Sequence, residues 1–100
     1  MTSRQLLTSD DVEARLHKLP GWQLKNGRLH RELTFPSFVE AFGFLSSLAL
    51  VAERMNHHPE IHNVYNWVSL TLWTHDANGL TALDFTLAQA IEQLPGARTQ

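Results

Sequence analysis

The 100-residue chain has no cysteine. That absence excludes disulfides, thiolate nucleophiles, iron–sulfur clusters and Cys-based zinc sites. Charge is also scarce: Asp, Glu, Lys and Arg make up 18% of the residues, against about 25% in an average globular domain. So few charges in a small domain predict that some surface is covered by a partner. The net charge of −2 lacks the dense Lys/Arg patch that nucleic-acid binding requires, so no nucleic-acid partner is expected. Long apolar runs are missing too. The longest, Phe38 to Met55, is broken by Glu40, Gly43, Ser46, Ser47, Glu53 and Arg54, which argues against a membrane span. The first residues carry no apolar signal segment, so a cytoplasmic location is the expectation. There is no repeat, linker or low-complexity stretch. The composition therefore predicts one domain over residues 1–100, with 1–8 and 96–100 as frayed ends.

Histidine is what the chain has in excess. There are six, and four of them (His57, His58, His62 and His75) fall between positions 57 and 75.

Periodicity and punctuation give the elements. A short helix is predicted from Asp10 to Leu19, capped by Thr8 or Ser9, acidic in its first turn and stopped by Pro20-Gly21. Residues 22–25 and 28–35 flank Asn26-Gly27, the strongest short hairpin signal. Ser37 caps a long helix over 38–56. One stripe of it holds Phe38, Phe42, Leu45, Leu48, Ala52 and Met55; a second holds Val39, Phe44 and Val51, near Leu50. This apolar arc is wider than one core-facing stripe needs, which predicts that one face meets the sheet and another a second subunit. The alternative is a merely hydrophobic helix. Residues 61–64 and 67–74 form a second strand pair, with Val68, Leu70 and Leu72 facing the helices and Trp67, Ser69, Thr71 and Trp73 facing away. His75 is in phase with the Trp row. Thr81 and Asp84 make a capping-box pair at the start of the last helix, which Pro95-Gly96 ends. The order α-β-β-α-β-β-α predicts an α+β domain, a four-stranded antiparallel sheet with three helices on one face.

Three readings compete for the histidines. Several imidazoles in one cleft suit proton transfer at neutral pH, one group giving a proton and another taking one. Glu53, one helical turn before His57, would share a face with it and orient its ring, and Asn56 would add a hydrogen bond. Pro59 biases His58 toward an extended conformation. Three histidines would also suit zinc or iron, although adjacent His57 and His58 diverge and make a poor chelating pair. The third reading is ordinary surface histidine, where His17 and His30 belong.

Glu53-Arg-Met-Asn-His57-His58-Pro59-Glu60, Asn63-Val-Tyr65-Asn66, Leu70-Thr-Leu72, Thr74-His75-Asp76, Gly79-Leu80-Thr81, and Asp84 with Leu87-Ala88 resemble the pterin-4a-carbinolamine dehydratase family. The match is continuous over about 53–92, and Gly21-Trp22 and the 35–49 segment extend it over nearly the whole chain. The resemblance implies a homodimer or homotetramer that dehydrates 4a-hydroxytetrahydropterin, the product of aromatic amino-acid hydroxylases, with no metal or organic cofactor. It implies His57, His58 and His75 as catalytic residues; the division in which His57 and His75 exchange the protons and His58 positions the pterin is our own hypothesis, not part of the resemblance. Glu53, Asn56, Pro59, Trp22 and Asp76 are implied as substrate-binding or orienting residues, Trp22 as part of an aromatic wall with plain core packing as its alternative, and Asp76 with opening of the loop as its alternative. Some relatives instead act as dimerisation cofactors of a transcription factor, a role the apolar helix 38–56 would serve. The sequence departs from the family pattern at Ile61 and His62, where many relatives carry aromatics, at Trp67, where Lys is frequent, and at Trp73, where a small hydroxyl residue is frequent.

Overall fold

The computed structural model describes residues 5–97 and 100; positions 1–4, 98 and 99, part of the expected frayed ends, lie outside the described residues. The elements run α1 (Ser9–Leu16), β1 (Gln23–Lys25), β2 (Arg28–Thr34), α2 (Phe38–Met55), β3 (Glu60–Val64), β4 (Trp67–Leu72), a 3₁₀ turn (His75–Ala77) and α3 (Ala82–Glu92). The four strands are antiparallel in the order β1-β2-β4-β3, with the helices on one face, as the α-β-β-α-β-β-α pattern predicts.

Local chemistry sets each boundary. Asn26 and Gly27 both take positive φ, the condition for a two-residue turn between β1 and β2. Thr8, Ser37 and Thr81 each cap a helix through the side-chain oxygen, and Thr81 with Asp84 completes the capping box of α3. The β2–β4 register sets Leu29 against Leu72 and Leu33 against Val68. These rows bury against Ala41, Phe44, Leu48 and Val51 of α2 and Phe85, Leu87, Ala88 and Ile91 of α3.

Three expectations are corrected here. In α2, Phe38 and Phe42 do not join the core stripe: both are exposed, while Ala41, Phe44, Leu48, Val51 and Ala52 are buried. Both sides of this helix are apolar, so periodicity did not reveal which one meets the sheet. Helix α1 is shorter than predicted and ends at Leu16, although Leu19 beyond it is buried. The described chain ends are tied down, since the Leu7 amide donates to the Leu80 carbonyl and the Gln100 side chain accepts from the Thr34 amide and donates to its carbonyl.

Candidate active site

Helix α2 ends in a way that decides the site. Asn56 adopts the left-handed conformation, its amide donates to the Glu53 carbonyl, and the next amide, of His57, reaches back to the Ala52 carbonyl at 3.1 Å. This is a Schellman ending, which folds the residue after the left-handed one back against the helix. His57 is therefore turned inward and buried, while His58 projects into solvent. Pro59, half-buried, then starts the chain toward β3.

The second half of the site follows β4. The backbone of Thr74 bridges that of Gly79 through bonds of 2.9 and 3.3 Å, closing a tight loop. Asn78, left-handed like Asn56, completes it. The loop presents His75 and Asp76 on its outside. Asn56, His57, His58, His75 and Asp76 line one cleft of about 330 Å³. Larger hollows exist, but the one of about 410 Å³ between α1 and the first hairpin is lined mainly by Leu7, Val12, Leu16, Leu24 and Leu80, with Glu13 its only titratable group. Proton transfer at neutral pH suits imidazoles, and three of them line the histidine cleft.

Beneath the cleft lies a buried polar network. His57 Nε2 is 2.6 Å from Asp84 Oδ1. The other carboxylate oxygen of Asp84 accepts from the Thr74 hydroxyl and from the Thr81 amide, both at 2.9 Å. The hydroxyls of Thr74 and Thr81 are 2.7 Å apart, and that of Thr81 also accepts from the Leu83 amide. Each buried polar group in this set thus has a partner, which is the condition for such a network to rigidify rather than weaken a core. Asp84, as an acceptor, assigns the His57 proton to Nε2 and leaves Nδ1 for the cleft.

Helical spacing predicts Glu53 beside His57. Instead Glu53 Oε1 lies 2.8 Å from His58 Nε2, and Asp84 takes the role beside His57. The helical spacing behind the Glu53–His57 expectation stops applying at left-handed Asn56. Asp84 was legible only as a capping residue; the signal for more was its second oxygen, free for another donor. Trp22 does not line the cleft: it is buried in the core, and its indole N–H donates to Glu92 Oε1 at 2.8 Å. Ile61 and His62 are exposed on β3, away from the cleft lining. Among the described residues, no three His, Asp or Glu side chains converge as a metal-ligand group. Nor is any helix among them long and apolar enough to cross a membrane.

Comparison with known proteins identifies the family. The model of the pterin 4 alpha carbinolamine dehydratase family matches residues 5–94. A Prochlorococcus marinus (strain MIT 9303) protein bearing the pterin-4-alpha-carbinolamine dehydratase name is 53% identical over 92 residues, covering 91% of this chain and 96% of the relative. A Rhizobium johnstonii protein of the same name is 54% identical over 84 residues, covering 82% and 83% of the two chains. The crystal structure of a transcriptional coactivator/pterin dehydratase from Brucella melitensis superposes with a TM-score of 0.84 at 42% identity, over 88% of this chain and 96% of that one. A matched family model over nearly all the described residues, relatives at about half identity and a shared fold lead to one assignment: the chain belongs to the pterin 4 alpha carbinolamine dehydratase family.

Proposed function

We propose that the protein dehydrates 4a-hydroxytetrahydropterin to quinonoid dihydropterin and water by histidine acid–base catalysis. The observation that carries this reading is the buried His57–Asp84 pair opening on a cleft that also holds His58 and His75. The reaction breaks the C4a–O bond and removes the proton of the adjacent ring nitrogen, whose electron pair forms the new C4a=N double bond. Hydroxide leaves poorly, so an acid must protonate it. His57, with Nε2–H held by Asp84, offers the lone pair of Nδ1 as the base. The imidazolium formed is stabilised by the carboxylate behind it, the same logic by which a buried aspartate supports a catalytic histidine elsewhere. His75 supplies the proton to the leaving hydroxyl. His58, held from outside by Glu53, positions the pterin, and Asn56 and Asp76 contribute polar contacts at the rim. No metal or organic cofactor takes part in this scheme. The activity would consume the product of an aromatic amino-acid hydroxylase.

The decisive test is the dehydration rate of 4a-hydroxytetrahydropterin with chelator-treated protein against the uncatalysed rate. Clear acceleration, lost in His57→Ala and His75→Ala, supports the reading. A folded protein that gives none overturns it.

We further propose that the protein self-associates, as a homodimer or homotetramer. Val39, Phe42 and Leu50 of α2 are 78%, 52% and 75% exposed in the single chain, and Phe38 packs edge-to-face on Phe42 at 5.2 Å. One apolar helix face presented by two copies is self-complementary across a two-fold axis. The outer side of β3 is a second candidate contact, an edge strand with exposed Ile61 and Val64. Light scattering should find an oligomer that Leu50→Glu splits. A monomeric parent would refute self-association. A dimer that exchanges its contacts for another protein would favour the adaptor role.

A further inference from the structure

The buried pair accounts for His57 but leaves open how His75 is aimed, since His75 lies on an exposed turn. We infer that Trp73 is the positioning residue for His75, holding its imidazole flat against the indole, with Arg28 bracing that indole. This inference rests on the acid–base reading above and deepens it.

The geometry is a stack of three planar groups. The rings of Trp73 and His75 are 4.2 Å apart between centroids and within 16° of parallel. The guanidinium carbon of Arg28 lies 3.7 Å from the centroid of the Trp73 ring. Strand register explains why these residues meet. Leu29 pairs with Leu72, so Arg28 on β2 stands opposite Trp73 just past the end of β4, both on the sheet face away from the helices. His75, two residues further on, keeps that phase. Trp73 itself is half-buried and packs against the core cluster, so the platform is anchored before His75 reaches it.

The physical consequence concerns orientation. An exposed imidazole samples several rotamers, and ordering it costs side-chain entropy at each catalytic encounter. Stacking on an indole removes most of that freedom in advance. The guanidinium of Arg28 is attracted to the indole face it covers, which fixes the indole in turn. His57 gets its orientation from a buried carboxylate; His75 gets it from an aromatic platform.

The competing explanation is that Trp73 only covers the sheet. Parent, Trp73→Leu and Trp73→Phe proteins separate the two. Nuclear magnetic resonance of the His75 ring protons, assigned with His75→Gln, reads the stack directly, because an indole face displaces them upfield. Steady-state kinetics with 4a-hydroxytetrahydropterin read its use. The expected result is that Trp73→Leu loses the upfield displacement and about tenfold in kcat with KM little changed, and that Trp73→Phe restores most of both. Ring-proton shifts that are equal in parent and Trp73→Leu would overturn the stack. An active parent whose Trp73→Leu variant keeps its kcat would overturn the positioning role alone. A parent without dehydratase activity would sink the acid–base reading, and this role with it, whatever the spectra show.

Discussion

His57 and His58 are adjacent in the chain, and each meets a carboxylate through Nε2, at 2.6 and 2.8 Å. The first pair is 6% and 0% exposed, the second 56% and 80%. Distance alone would rank the two contacts as near equals. Burial separates them. Asp84 is shut off from bulk solvent that could replace a lost partner, whereas Glu53 and His58 exchange partners with solvent at little cost. The enclosed pair therefore fixes geometry, and the open pair adjusts it. One left-handed residue, Asn56, produces the difference by sending consecutive side chains in opposite directions.

The largest test of this contrast is Asp84→Ala. It strips partners from the His57 ring, the Thr74 hydroxyl and the Thr81 amide together. Denaturant unfolding should show a loss of about 3–5 kcal/mol. A loss below about 1 kcal/mol would mean that water reaches the network and that the contrast is false. Next comes Asp84→Asn, which keeps the shape and can still accept from Thr74 and Thr81. Its amide would face His57 Nε2 with a donor and drive the proton to Nδ1, the nitrogen that acts as base in the proposed mechanism. The fold should survive while kcat drops by about 10²-fold, the lower end of what a positioned acid or base contributes. A variant with parental kcat would remove His57 from the role of base.

On the open side, Glu53→Ala should change stability by no more than about 1 kcal/mol, because the pair is solvated. Its effect should appear in KM rather than kcat, as expected for a residue that steadies the histidine proposed to position the substrate. A fall in kcat comparable to that of Asp84→Asn would erase the distinction between the two pairs.

The smallest effect concerns a further His–Glu pair on the open sheet face, half-buried His30 with exposed Glu32. Hydrogen bonds from His30, first, and from Trp67 hold the Glu32 carboxyl below its usual value of 4.5. With the folded value depressed, the ionised carboxylate favours the native state above the unfolded value, and this contribution disappears as the pH falls through the folded value. Unfolding curves of parent and Glu32→Gln should therefore differ slightly at neutral pH and converge in acid. Curves that diverge in acid would reverse the sign.

Much of this molecule is legible in its residues. Asn26-Gly27, the alternation from Trp67 to Leu72 and the caps at Ser37 and Thr81 specify the hairpins and helices, because these are local signals tied to local dihedral and hydrogen-bond requirements. The histidines of the cleft stand out for a similar reason: Pro59 and the strand end mark them as exits from rigid elements. What escapes such a reading depends on direction. The outward turn of Phe38 and Phe42 depends on which apolar side of α2 the sheet occupies. The pairing of Glu53 with His58 depends on how the chain leaves the helix. Asp84 meets His57 across 27 residues of sequence, a proximity that only the packing of α3 beside the end of α2 creates.

Asp84 is also the third residue of α3, where it accepts from the Thr81 amide as half of a capping box. Helix ends are the parts of a protein that open most often. Here, however, the first turn of α3 cannot unwind without releasing the carboxylate that holds His57. Under the proposed mechanism, a local fluctuation that elsewhere would be silent would interrupt catalysis. The amides near Thr81 should accordingly exchange with deuterium far more slowly than those of an ordinary helix start, and any ligand that quiets them would be felt at His57.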